Sequence, residues 1–124
     1  MKIIILSFLL FLLLSCSPKN FQYEKEIKLS SSNFKFTEIK FTNSEEQVQL
    51  SGTLIEPIAD YKKLVIIIPG TGKDKRNAHY KLAENLLIQQ IAVFRYDDRG
   101  VGHSKGNFNK ASTHDFANDL KYCV

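Results

Sequence analysis

The sequence is short of the residues that build disulfide scaffolds and metal centres. It has two cysteines, Cys16 and Cys123, and three histidines in 124 residues. An even set of cysteines inside the folded part is what a disulfide framework needs, and this pair does not supply it. His79, His103 and His114 share no metal-ligand spacing with one another or with a carboxylate motif. Basic residues outnumber acidic ones, 17 to 13, for a net charge of +4, yet no run of five lysines or arginines occurs. Nucleic-acid binding needs clustered charge, so it is excluded as a leading role. With 44% hydrophobic and 24% charged residues the chain is globular rather than disordered, and its length suits one small domain.

Residues 3–14 are apolar except for Ser7, following a positive start at Lys2. A permanent membrane helix needs about 20 such residues, so the run has the length of a signal-peptide core. It ends in Leu13-Leu14-Ser15-Cys16, which resembles a bacterial lipobox. The resemblance implies cleavage before Cys16, acylation of its thiol and a lipid anchor in the cell envelope; stable anchoring takes more than one acyl chain. An ordinary secretory signal with a chance cysteine is the alternative. The division expected is a signal peptide over 1–15, a polar tether over 16–33 and the folded part over 34–124.

Phe34 and Phe36 alternate with polar residues, and Ile39 and Phe41 continue in the opposite phase, which suggests a bulge or two short strands. The turn cluster Asn43-Ser44-Glu45-Glu46 separates this stretch from Val48, Leu50 and Leu54, spaced around Gly52, where a bulge or a close backbone approach is expected. Residues 34–42 and 47–56 therefore predict an antiparallel hairpin at one edge of a sheet. The runs 64–68 and 91–94, short, non-alternating and separated by a helical pattern over 77–89, predict a βαβ unit whose parallel strands are buried on both faces. On that helix His79, Leu82, Ala83, Leu86 and Leu87 share one face, with His79 as a packed residue rather than a ligand. No glycine closes the helix at Gln89-Gln90, so a less favoured residue must make its last turn. A final helix starts at Ser112 or Thr113, where Ser112 and Asp115 form a capping-box-like pair. Its apolar face carries Phe116, Ala117, Leu120, Cys123 and Val124, with Cys123 as a small buried hydrophobe.

Two glycine-rich loops follow the parallel strands, where open α/β sheets bind ligands. Pro69-Gly70-Thr71-Gly72 is either a plain turn or a nest of inward amides suited to an anion. Gly72-Lys73 fails as a phosphate loop, because Ile67 stands where the first glycine is needed and Asp74 where Ser or Thr is needed. Gly100-Val101-Gly102 has Lys105 in place of the third glycine of a dinucleotide fingerprint. Gly102-His103-Ser104-Lys105-Gly106 fits G-x-S-x-G, but an elbow needs a strand entering the first glycine and a helix leaving the second. Asp97-Asp98-Arg99-Gly100 intervenes before it and Asn107-Phe108-Asn109-Lys110 follows it, so Ser104 is not expected to be a nucleophile.

Pro69-Gly70-Thr71-Gly72 with Arg76-Asn77, then residues 95–106 (RYDDRGVGHSKG) and Thr113 to Asp119 (THDFAND), closely resemble the α/β-hydrolase superfamily. The branch resembled is that of secreted bacterial esterases and serine-aminopeptidase-like hydrolases. The fold class implied is α/β: an incomplete α/β-hydrolase sheet with an antiparallel hairpin, a parallel βαβ unit and one further helix. The resemblance implies that Gly70 and Thr71 supply one side of an oxyanion hole, with Thr71 as the donor. It implies that Asp98, Arg99 and Ser104 are structural residues bracing a loop near the site. The family's nucleophile, acid and histidine have no counterpart here, so the chain is expected to be the N-terminal portion of a lipid-anchored serine hydrolase acting on ester or peptide bonds. A non-catalytic lipid-anchored scaffold and one half of a split enzyme, completed by a second chain, remain alternatives. No cofactor or metal is expected.

Overall fold

The structure, a computed structural model, describes residues 26–29 and 32–124. The leader and Cys16 lie outside them. Strands β1 (Phe34–Asn43) and β2 (Val48–Pro57) form the hairpin, followed by β3 (Leu64–Ile67), helix α1 (Tyr80–Ile88), β4 (Ala92–Tyr96), a short 3-10 turn (Phe108–Lys110) and helix α2 (Thr113–Cys123). The sheet order is β1-β2-β4-β3. β2 pairs antiparallel with β1 and with β4, while β3 and β4 are parallel across α1.

The hairpin register runs unbroken from Phe34 opposite Pro57 to Asn43 opposite Val48. The phase change in β1 is therefore not a bulge. Its cause is that the two faces of the strand are covered at different ends. Phe34 and Phe36 pack with Ile55, Val65, Ile67, Val93 and the α1 residues Ala83 and Leu87. Ile39 and Phe41 point to the other face, toward Leu54, Phe94 and Cys123 of α2. Gly52 marks a close approach: a Cβ there would lie 2.6 Å from the Arg95 carbonyl oxygen and 2.6 Å from the Phe94 ring.

Burial on both faces holds for β4, all five residues of which are buried, but not for β3. Leu64 in β3 and Ile68 just after it are 52% and 49% exposed, because among the described residues β3 pairs with β4 on one side only. Helix α1 is shorter than its sequence pattern. His79 sits in the left-handed region at φ 56° as the N-cap before Tyr80, and both His79 and Leu82 are exposed. The helix ends as its composition requires. Gln90 takes φ 59°, its N–H donates to the Leu87 carbonyl at 2.9 Å, and the Ile91 N–H donates to the Leu86 carbonyl at 3.1 Å. That pair of bonds is a Schellman closure built on a non-glycine residue. Helix α2 begins with the expected capping box of Ser112 and Asp115. Its buried residue is Asp119, while Ala117 and Val124 are exposed.

The stretch read as a tether ends in contact with the fold. Ile27 is buried in the α1 core, and the Lys28 N–H donates to Glu84 Oε1 at 2.7 Å. No helix among the described residues is long and apolar enough to cross a membrane.

Candidate active site

β3 and β4 run parallel, and their carboxyl ends open onto one cavity of about 340 Å³. Ile68, Pro69, Gly70 and Thr71 line it from the loop after β3, Tyr96 and Asp98 from the end of β4, and Phe108, Thr113 and Phe116 from the segment leading into α2. A cavity of about 440 Å³ lies at the opposite end of the sheet, between Phe34, Ile58 and Ile88, and carries no ionisable side chain. The chemistry-bearing residues converge on the first.

Asp74 shapes the loop after β3. Its Oδ2 accepts the Gly70 N–H at 3.0 Å, and its carbonyl accepts the Asp98 N–H at 3.3 Å. The Gly70 amide is thus engaged within the loop, and Thr71 is the exposed position beside it.

The loop after β4 is held by two buried cations. The Arg76 guanidinium donates to Asp97 Oδ2 through Nε at 3.2 Å and Nη2 at 2.8 Å, to Thr53 Oγ1 at 3.0 Å and to Ser51 Oγ at 2.7 Å. Asp97 also accepts the Arg76 N–H at 2.8 Å and the His103 N–H at 2.9 Å. Gly102, at φ +53°, lies so close that a Cβ would meet the Asp97 carboxylate at 2.5 Å. Arg99 turns away from the cavity and donates to Asp119 through Nε at 2.7 Å and Nη2 at 2.6 Å, and to Glu46 through Nη1 at 2.6 Å. These two carboxylates hold the Arg99 guanidinium firmly in its charged form. Ser104 is buried. Its hydroxyl donates to the Asp97 carbonyl at 2.6 Å and accepts the Ser51 N–H at 3.0 Å, tying the loop to β2.

Asp98 differs from its neighbours in the motif. It is 5% exposed and lines the cavity, and no ion pair reaches its carboxyl among the described residues. Burial, and then the charge of Asp74, push it up to about 6 from 3.8; the Asp74 backbone amide pulls the other way. Asp98, Arg99 and Ser104, three residues of one motif, thus face three environments: the cavity, the hairpin turn with α2, and β2. Arg76 and Asp97 both stand in motif stretches of the sequence, but nothing in their spacing points to their pairing. The described residues contain no group of three His, Cys, Asp or Glu side chains able to hold a metal.

No protein-family model matches the chain, and neither does any curated protein sequence. Solved structures do match. The Pyrococcus furiosus esterase Pf2001 shares 29% identity over 73% of this chain and 34% of its own, with a TM-score of 0.62. The α/β hydrolase GrgF from Penicillium sp. sh18 shares 25% identity over 70% of this chain and 30% of its own, with a TM-score of 0.59. The chain carries part of an α/β-hydrolase fold. DcsB, solved with its substrate analogue, is 20% identical at a TM-score of 0.60 and agrees in fold alone. The chain spans about a third of the length of the α/β-hydrolase structures it matches.

Proposed function

We propose that this chain is the oxyanion-loop portion of a lipid-anchored serine hydrolase of the secreted bacterial esterase and serine-aminopeptidase-like branch. The observation that carries the reading is the cavity beyond the carboxyl ends of β3 and β4, bordered by Gly70 and Thr71, in a fold shared with an esterase. Because the Gly70 N–H is bonded to Asp74, the Thr71 N–H is the donor offered to a tetrahedral intermediate. A backbone amide aimed at developing negative charge is worth about 3 kcal/mol in the transition state. Ser104 does not fill the nucleophile's role in this reading, since its hydroxyl is buried between Asp97 and Ser51. The nucleophile, acid and histidine come from polypeptide beyond these residues or from a second chain. The substrate is an ester or a peptide bond, and Cys16 carries the lipid that holds the protein to a membrane of the cell envelope.

The test is to express the whole coding region and assay p-nitrophenyl ester hydrolysis, with Thr71→Pro as the variant that removes the donor. A fall in kcat of about 100-fold or more is expected; unchanged kcat rejects Thr71 as donor. Acylation is tested by labelling cells with a radioactive fatty acid, and a label that persists in Cys16→Ser rejects the anchor.

A second reading is a non-catalytic binding protein on the same scaffold. Asp98 favours it, because an ionised carboxyl in the cavity repels an oxyanion. Absence of hydrolysis by the whole product, with the fold intact, would select it.

A further inference from the structure

The outward charge of the molecule is unevenly placed. On the loops after β3 and β4, residues 69–79 and 97–114, the exposed charged side chains are Lys73, Lys75, Lys105 and Lys110, and no exposed side chain there is acidic. The acids of these loops are set back from the surface and engaged. Asp74 accepts the Gly70 N–H, Asp97 pairs with Arg76, and Asp98 is buried in the cavity wall. In the neighbouring hairpin turn Glu45 is held by Lys121 and Glu46 by Arg99. The Lys73 ammonium stands 5.7 Å from the centre of the Phe108 ring, and Lys110 closes the same 3-10 turn as Phe108. The opposite end of the sheet mixes its signs: Lys62 and Lys63 are exposed beside an exposed Asp60, and Lys35 approaches Glu56 at 4.0 Å.

A second observation concerns where the N-terminal segment meets the fold. Glu26 accepts a hydrogen bond from Asn77 Nδ2 at 3.2 Å. Asn77 stands between the loop after β3 and the start of α1, so this contact is at the same end of the sheet as the four lysines. Cys16 precedes Glu26 by ten positions. A stretch of that length spans at most about 35 Å when fully extended, and about 17 Å on average as a flexible coil.

We propose that the lysine rim of these two loops is a docking surface for an anionic phospholipid bilayer, and that the anchored protein lies with this end toward the headgroups. The inference rests on the lipid-anchor reading and adds an orientation to it. An acylated Cys16 would bring the bilayer close to the end of the fold whose exposed charges are all positive. Lysines near an anionic surface are attracted to it over roughly 8 Å at physiological ionic strength. The folded chain supplies the cluster that the sequence lacks, because Lys73 and Lys75 come from one loop and Lys105 and Lys110 from another.

The test is a lysine footprint of the full chain, which needs no substitution. The protein is incorporated into phosphatidylglycerol vesicles, into phosphatidylcholine vesicles or into neutral detergent, and treated with an uncharged acetylating reagent. Mass spectrometry then gives the rate at each lysine. On phosphatidylglycerol, Lys73, Lys75 and Lys110 are expected to react about fivefold or more slowly than in detergent, while Lys62 and Lys63 at the opposite end keep their rates. On phosphatidylcholine the slowing is expected to be largely absent, since the attraction is electrostatic. Equal slowing at both ends, slowing at Lys62 and Lys63 instead, or no slowing on phosphatidylglycerol overturns the proposal. Fatty-acid labelling of Cys16 is scored separately. A labelled chain without the footprint keeps the anchor and removes the docking surface. The footprint in an unlabelled chain on added vesicles keeps the surface and removes the anchor.

Discussion

The Arg76 guanidinium and the Asp97 carboxylate meet at 2.8 Å with side chains 1% and 0% exposed. Two charges buried that deeply are stable only as a pair, because each alone would bear its full desolvation cost. Arg76→Met is therefore expected to destabilise the chain by about 3–5 kcal/mol, read as a lower urea midpoint. Adding Asp97→Asn to that variant should recover part of the loss, since it removes the orphaned charge. A double variant that loses the sum of the two single effects would contradict the pairing.

Asp98 sets a pH dependence of opposite sign to that of an ion-paired carboxylate. Its folded value, about 6, lies above the ordinary 3.8. The native state therefore holds a proton that the unfolded chain releases, and the stabilisation is full below about pH 4 and lost as the pH rises through about 6. Asp98→Asn is expected to be more stable than the parent above about pH 6, with the gap closing in acid. Thermal melts of both proteins across that window check it, and a gap that widens in acid reverses the assignment.

The hairpin, the βαβ unit and the capping box were legible in the sequence because each depends on neighbours close along the chain or on a simple period. What was not legible depends on distant neighbours. A solid apolar run such as residues 64–68 looks the same whether a strand is central or at an edge, and Leu64 is half exposed because β3 is the last strand of the sheet among the described residues. The two phases of β1 looked like a bulge because the sequence does not say that α1 and α2 lie on opposite faces. Helical period placed Leu82 with Ala83 and Leu87, yet only the latter two are buried, since Leu82 lies about 100° around the helix from Ala83, at the margin of the stripe. In the site, Gly70, Thr71, Asp98, Arg99 and Ser104 were picked out by motif. The Arg76–Asp97 pair spans 21 residues and joins groups whose spacing follows no rule.

Ser104 bonds the Ser51 amide and the Asp97 carbonyl, so its removal is a structural lesion. Ser104→Ala leaves a buried N–H without its acceptor and is expected to cost about 1–3 kcal/mol. The same burial predicts that a fluorophosphonate probe leaves Ser104 unmodified in the native chain, while the residue reacts no faster than other serines after unfolding. Mass spectrometry of the probed protein gives the answer, and stoichiometric native labelling at Ser104 would restore it as a nucleophile.

Gln90 occupies the left-handed position that closes α1, at φ 59°. A side chain there costs roughly 1–2 kcal/mol relative to glycine, part of which glycine returns as unfolded-state entropy. Gln90→Gly is therefore expected to raise stability by about 0.5–1 kcal/mol, visible as a higher melting temperature. A lower one would mean that the Gln90 side chain makes a contact worth more than the backbone strain.

The turn between β1 and β2 is finished by residues made long after it. Asn118, Lys121 and Tyr122 all reach Glu45, across 73, 76 and 77 positions of chain, and Asn43 waits for Asp119. At roughly 5–20 residues per second of synthesis, the hairpin leaves the ribosome several seconds before those partners exist. During that interval Asn43, Glu45 and Glu46 are solvated, and the Ile39–Phe41 side of β1 is bare. The nascent hairpin is thus a natural client for a holding chaperone, and slowing elongation between Pro57 and Thr113 should lower the yield of folded protein more than slowing it before Phe34.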